Sequence, residues 1–176
     1  MPVDQVTDLG DGSLEHAVGR RVRDHQGAEI VAVLPALRLQ IVDVDGDGRK
    51  DIVLADKSTI QWYQNSSWKK HIIASGLTEK DNVCIAARDL DGDGKCEIAV
   101  GGQWNFRETI KDGAVHYLIP PKDRTKLWTP VKLYNEPNTH RMHWLAGPDG
   151  KFSLIVKPLR GRGSVEGVGP GFRMLE

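Results

Sequence analysis

The chain has 176 residues, 39% of them hydrophobic and 27% charged, with 24 basic residues balancing 24 acidic ones. That is the make-up of a globular protein with room for one sizeable core, and a formal charge of zero gives no reason to expect a nucleic acid or an anionic membrane as partner. Two cysteines are too few for a disulfide framework, and no apolar run is long enough to span a bilayer. The opening Met1-Pro-Val-Asp-Gln has no charged segment leading into an apolar one, so a cytoplasmic, artificial or truncated start is expected. Cys84 and Cys96 are expected as buried or half-buried thiols, with a bridge between them as the alternative.

Taken in order, the chain repeats one pattern over approximately residues 14–36, 37–82, 83–138 and 139–176. The first copy has a strand pattern at His16-Ala-Val, Arg21, Arg23 and His25 where later copies have acids, and Glu29-Ile-Val-Ala-Val after them. This copy has lost the acidic loop and is too short for a full unit. The second copy is complete. Leu39-Gln-Ile-Val leads into Asp43-Val-Asp45-Gly-Asp47-Gly-Arg49-Lys-Asp51, Ile52-Val-Leu-Ala leaves it, and Thr59-Ile-Gln-Trp-Tyr and Trp68-Lys-Lys-His-Ile-Ile-Ala follow. These runs are short, apolar at alternate positions and bounded by polar or glycine-containing turns, which predicts four antiparallel strands.

The third copy repeats the plan 46 residues on, with Asp89-Leu-Asp91-Gly-Asp93-Gly-Lys95-Cys-Glu97, then Ala114-Val-His-Tyr-Leu-Ile and Trp128-Thr-Pro-Val-Lys-Leu-Tyr. Trp68 and Trp128 open matching outer strands and are expected to pack. Asn105 to Asp112 and Pro120 to Lys126 read as surface loops. The fourth copy starts at Thr139-His140-Arg141-Met142-His143-Trp144 and keeps only Asp149 of the acids, so no tight metal site is expected there. A glycine-rich connection after Gly161-Arg-Gly163 matches no nucleotide-binding spacing. One four-stranded meander per repeat predicts an all-β fold, a partial β-propeller of four-stranded antiparallel blades in which two full blades are flanked by two incomplete ones. The whole of 1–176 is expected to be one such fragment.

The acidic loops carry the chemistry. Acids at positions one, three, five and nine can converge on one cation, and the glycines at four and six let the backbone turn tightly enough to aim them. The predicted ligands are Asp43, Asp45, Asp47 and Asp51 in one loop and Asp89, Asp91, Asp93 and Glu97 in the other, with the position-seven carbonyls of Arg49 and Lys95 added by analogy with other such loops. An all-oxygen set points to a hard cation, Ca²⁺ in preference to Mg²⁺. An EF-hand is excluded, because position twelve is Leu54 or Val100 instead of Glu and a short β-branched run follows in place of a helix. The alternative is a solvated Asp/Gly turn without metal, in which close carboxylates would repel one another.

These loops, each followed by an apolar strand, resemble the FG-GAP or VCBS repeats of integrin-type β-propellers over residues from about 14 to 176. The resemblance implies Ca²⁺ at the blade edges and a ring of more blades than this chain holds, and so a fragment of a longer assembly. Cys96-Glu-Ile-Ala-Val-Gly-Gly-Gln-Trp-Asn, Tyr117-Leu-Ile-Pro-Pro-Lys-Asp-Arg-Thr, and Thr139-His-Arg-Met-His-Trp with Pro158-Leu-Arg-Gly-Arg-Gly are similar to the propeller domain of the aldos-2-ulose dehydratases. Those enzymes join a propeller to cupin domains and act on keto-sugars such as anhydrofructose; no cupin-like segment is seen here.

In a propeller the first strand of each blade runs beside the central channel. His16 and His140 hold the same repeat position there, with Arg141 and His143 adjacent, so His16, His140 and His143 are the candidate catalytic residues, suited to proton transfer from a sugar carbon or to a transition metal. The alternative is that they pack on strands or face solvent. His140 and His143 lie three apart on a strand and should not share one metal. Arg160 and Arg162 are candidates for an anionic or hydroxyl-rich ligand, or a solvated loop. No nucleophile elbow, zinc-protease helix, redox cysteine pair or phosphate loop occurs. Two functions follow: a Ca²⁺-stabilised propeller module that serves as scaffold or binds carbohydrate or protein, or the propeller portion of a sugar lyase. Expected partners are a carbohydrate or protein ligand and the remaining blades or further domains, with no nucleic acid and no membrane.

Overall fold

The computed structural model describes residues 38–163, together with the strand backbones Val22–Arg23, Glu29–Ile30 and Arg173–Leu175. The chain divides into two compact units, Met1–Leu34 and Pro35–Glu176. In the first, strands β1 (Val22–Arg23) and β2 (Glu29–Ile30) pair antiparallel, Val22 opposite Ile30 and Arg23 opposite Glu29. Arg23, read as a loop position, is thus a strand residue. His16, Arg21 and His25 lie outside the described residues.

The second unit is three antiparallel sheets. The first holds β3 (Leu39–Val42), β4 (Asp51–Ala55), β5 (Thr59–Tyr63) and β6 (Lys70–Ser75), paired in chain order. The second holds β7 (Cys84–Arg88), β8 (Glu97–Gly102), β9 (Ala114–Ile119) and β10 (Thr129–Tyr134) in the same order. The third holds β11 (Thr139–Ala146), β12 (Phe152–Pro158) and β13 (Arg173–Leu175). The first strands β3, β7 and β11 are neighbours, with β7 in the middle. Meanders stacked on their first strands are the arrangement of consecutive propeller blades. Among the described residues there is no α-helix, and no helix is long and apolar enough to cross a membrane.

The middle sheet is covered on both faces, and its two-residue period divides it between two cores. Ile85, Ile98, Val100 and Leu118 join Val53, Ile60, Trp62 and Ile73 of the first sheet, whereas Cys84, Ala86, Ala99 and Val115 join Met142, Leu154 and Val156 of the third. This explains why β8 is buried along its whole length without polar alternation. Apart from Val115, the side chains toward the third sheet are small, while those toward the first are large and branched, so the third sheet approaches closely. A Cβ on Gly101 would come 2.6 Å from both Cys84 Sγ and Thr139 Cγ2. Each fully buried Val, Leu or Ile side chain contributes roughly 1.5–3 kcal/mol by leaving water.

Cys84 and Cys96 are both buried, free thiols. The two tryptophans matched by the repeat differ. Trp128 is 3% exposed and its N–H donates to the Ile73 carbonyl at 2.8 Å, fastening the second sheet to the first. Trp68 is 42% exposed, because the turn from Gln64 to Lys69 closes tightly and sets it at a φ of 54°, outside the ladder.

Candidate metal centre

Each acidic loop is the hairpin connection between the first and second strands of its sheet. Position nine pairs across the ladder with the residue before position one, Asp51 with Val42 and Glu97 with Arg88, so the sheet clamps both ends of the loop. Within it, Gly46 and Gly48 take φ of 83° each, and Gly92 and Gly94 take 81° and 87°. Only glycine enters that region without a steric penalty, and each left-handed residue turns the chain back toward the same centre.

The hydrogen bonds of the first loop recur atom for atom in the second. The carboxylate at position one accepts from the N–H groups of positions four and six, Gly46 and Gly48 to Asp43 at 2.7 and 2.8 Å, and Gly92 and Gly94 to Asp89 at 2.7 and 3.0 Å. The position-nine carboxylate accepts from position two, Val44 to Asp51 at 2.8 Å and Leu90 to Glu97 at 3.0 Å. Positions three and five each accept from the N–H two residues on, including the N–H groups of Arg49 and Lys95 at position seven, both at 2.8 Å. These bonds hold the acids close together. Oxygens of Asp43, Asp45 and Asp51 lie within 4.8 Å of one another, as do those of Asp89, Asp91 and Asp93. Asp47 and Glu97 stand outside these two groups.

The electrostatics of the loops differ. Asp51 is wholly buried, and burial pushes its carboxyl pKa up against the opposing N–H groups of Asn65 and Val44, with Asp45 and Asp43 adding to the rise. Among the described residues no basic side chain is paired with a carboxylate of this loop. In the second loop Lys95 Nζ is 3.5 Å from Asp93 Oδ2, and Arg124 Nη2 is 3.3 Å from Glu97 Oε1 while its Nη1 donates to the Cys96 carbonyl. Burial raises the Glu97 pKa, and the Leu90 N–H and Arg124 oppose it. The donor sets are all oxygen, which fits Ca²⁺ or Mg²⁺ and not a soft transition metal. The first loop, with its clustered and unneutralised acids, fits a dication better than the second.

Residues beyond the motif complete the loops. Gln64 Nε2 donates to Asp45 Oδ2 at 2.7 Å, the Asn65 N–H to Asp51 Oδ1 at 2.8 Å, and Asn65 Nδ2 to the Lys50 carbonyl at 2.9 Å. Their position directly after β5, the strand beside β4, was the available sequence signal. Arg124 had none, since it acts across 27 residues from a segment that reads as surface loop.

Of the candidate histidines, His140 and His143 line different depressions. His140 is the extra residue of a β-bulge, since Thr139 pairs with Pro158 and Arg141 with Lys157. It lines a depression with Arg141, Lys157, Pro158 and Leu159, where burial, then Arg141 and Lys157, push its pKa down. His143 faces a different groove with Gln40, Arg88 and Trp144, across β3, β7 and β11. Arg160 lies 4.1 Å over the Phe106 ring, and Arg162 donates to the Ile110 and Asn135 carbonyls. Both arginines therefore latch the 103–113 loop.

No curated protein matches the chain. Residues 43–100 match the FG-GAP-like repeat family, a stretch from position one of the first loop to the strand after the second. With its antiparallel sheets stacked on their first strands, the described part of the chain has the architecture of a partial β-propeller, and residues 43–100 are similar to an FG-GAP-like repeat.

Proposed function

We propose that the chain is a cation-stabilised propeller module, in which Ca²⁺ held by Asp43, Asp45 and Asp51, and by Asp89, Asp91 and Asp93, stiffens two hairpin turns of a scaffold that binds carbohydrate or protein. The observation that carries this is the recurrence of one hydrogen-bond pattern in two loops, each gathering three carboxylates within 4.8 Å. Asp47 and Glu97, and the carbonyls of Arg49 and Lys95, are the further donors such a cage would draw on.

Thermal unfolding in EDTA, then with added Ca²⁺ or Mg²⁺, tests the proposal on the wild type and on Asp45→Ala with Asp91→Ala. An ion that binds only the folded state at a hundred times its Kd stabilises it by about 2.7 kcal/mol. The wild-type midpoint should rise with metal and the double variant's should not. Equal midpoints with and without metal would reduce the loops to bare turns.

The sugar-lyase reading retains one point in its favour, the half-buried His140 beside Arg141 and Lys157. His140 and His143 line separate depressions and so do not pair as acid and base, and the module is the better-supported reading. Turnover of 1,5-anhydrofructose by the full chain, lost in His140→Ala, would reverse that preference.

A further inference from the structure

The two acidic loops touch each other. The Cys96 N–H, at position eight of the second loop, donates to the backbone carbonyl of Asp43, position one of the first, at 2.9 Å. The Cys96 N–H and the Lys95 carbonyl belong to one planar peptide unit. One rigid group therefore offers its oxygen at position seven of the second loop and its hydrogen to the first. The Lys95 stem adds a second contact, because a Cβ on Gly46 would meet Lys95 Cε at 2.7 Å and Cγ at 2.9 Å. Beneath both, Val44 and Cys96 are buried in the same core cluster.

We infer that the two loops take up divalent cations with positive cooperativity, coupled through the Lys95–Cys96 peptide. The inference rests on the reading of both loops as cation sites. A cation drawing on the Lys95 carbonyl polarises the peptide and strengthens the donation of Cys96 N–H to Asp43. That bond fixes the backbone from which the first loop's leading carboxylate projects, so part of the ordering needed there is already done. The coupling is reciprocal, because linkage requires each site to change the other by the same factor. Repulsion between the two ions acts in the opposite sense but through solvated loops, where salt screens it.

Calorimetric titration of Ca²⁺ into the full chain decides the matter, comparing the wild type with Asp91→Asn, which disables the second loop, and Asp45→Asn, which disables the first. It is run at about 1 M potassium chloride, where charges are screened beyond roughly 3 Å, so that the lost charge itself has little reach. The wild type's overall constant for two ions should exceed the product of the two variants' single-ion constants about fivefold or more, the lower end of typical coupling. The wild-type isotherm should also be steeper than the sum of the two variants' isotherms. A wild-type isotherm that equals that sum, or lies weaker than it, overturns the coupling while leaving both sites standing. No binding heat from any of the three proteins overturns the cation reading and the coupling with it. If a variant fails to fold by circular dichroism, Asp93→Asn for the second loop or Asp43→Asn for the first takes its place in the same comparison and is read in the same way.

Discussion

Replacing Arg124 by Met should be among the most damaging changes in the chain outside its hydrophobic cores. The guanidinium binds the Cys96 carbonyl and Glu97 Oε1, lies 5.2 Å over the Trp128 ring, and belongs to a residue whose own carbonyl accepts from Trp128 Nε1 at 3.2 Å. Both partners of the Arg124–Glu97 pair have side chains only 9% exposed. Met fills much of the same volume but leaves Glu97 in a site where burial already opposes its charge. Removing one partner of a buried pair costs about 3–5 kcal/mol. The lower end applies, because the Leu90 N–H still satisfies one Glu97 oxygen and the carboxyl can take up a proton. About 3 kcal/mol corresponds to roughly 6–12 °C in the midpoint of a chain this size. Differential scanning calorimetry in EDTA measures it, with Glu97→Gln and the double variant completing a cycle. The double variant should recover most of the loss, since a matched pair of neutral groups leaves no stranded charge. An Arg124→Met loss within about 0.5 kcal/mol, the range of ordinary surface changes, would refute the reasoning, as would a double variant as unstable as the single one.

Gly113→Ala should abolish cooperative folding, because φ there is 94° and a Cβ would overlap the Glu136 carbonyl oxygen and crowd Pro137 Cα at 2.7 Å; retained near-ultraviolet dichroism would show that the backbone yields. Burial, and then Lys132, lower the His116 pKa, and its Nδ1 has no partner. The unfolded chain then takes up a proton at higher pH than the native one, so stability contributed by His116 is intact above about pH 6.5 and declines as pH falls below it. Urea midpoints followed from pH 7.5 to 5 should decline, and His116→Gln should flatten part of that slope; an unchanged slope would count against the assignment. Burial pushes the thiols of Cys84 and Cys96 up to about 12, so neither should react with Ellman's reagent in the native protein, and both should react after unfolding.

What the sequence by itself determined is everything that depends on neighbours along the chain. The acidic loops, the glycines that must turn left-handed, the strands on either side and the 46-residue repeat follow from turn chemistry and two-residue periodicity, and these act within a few residues. What joins distant segments was decided only by the stacking of sheets. Trp68 and Trp128 occupy the same repeat position, yet one is exposed and donates its N–H within its own turn, to Gln64, while the other is buried and donates to Ile73 of the neighbouring sheet. The fully buried β8 shows no polar alternation, since its two faces serve two different cores. At the candidate site the same division holds. The motif named the acids, but Arg124 on Glu97, the bulge at His140 and the Lys95 stem across Gly46 arise where a loop folds back over its own blade, one strand slips against its partner, or one blade meets the next. A linear pattern carries no record of such contacts, because their energy depends on distances through space that are set only once the sheets have packed.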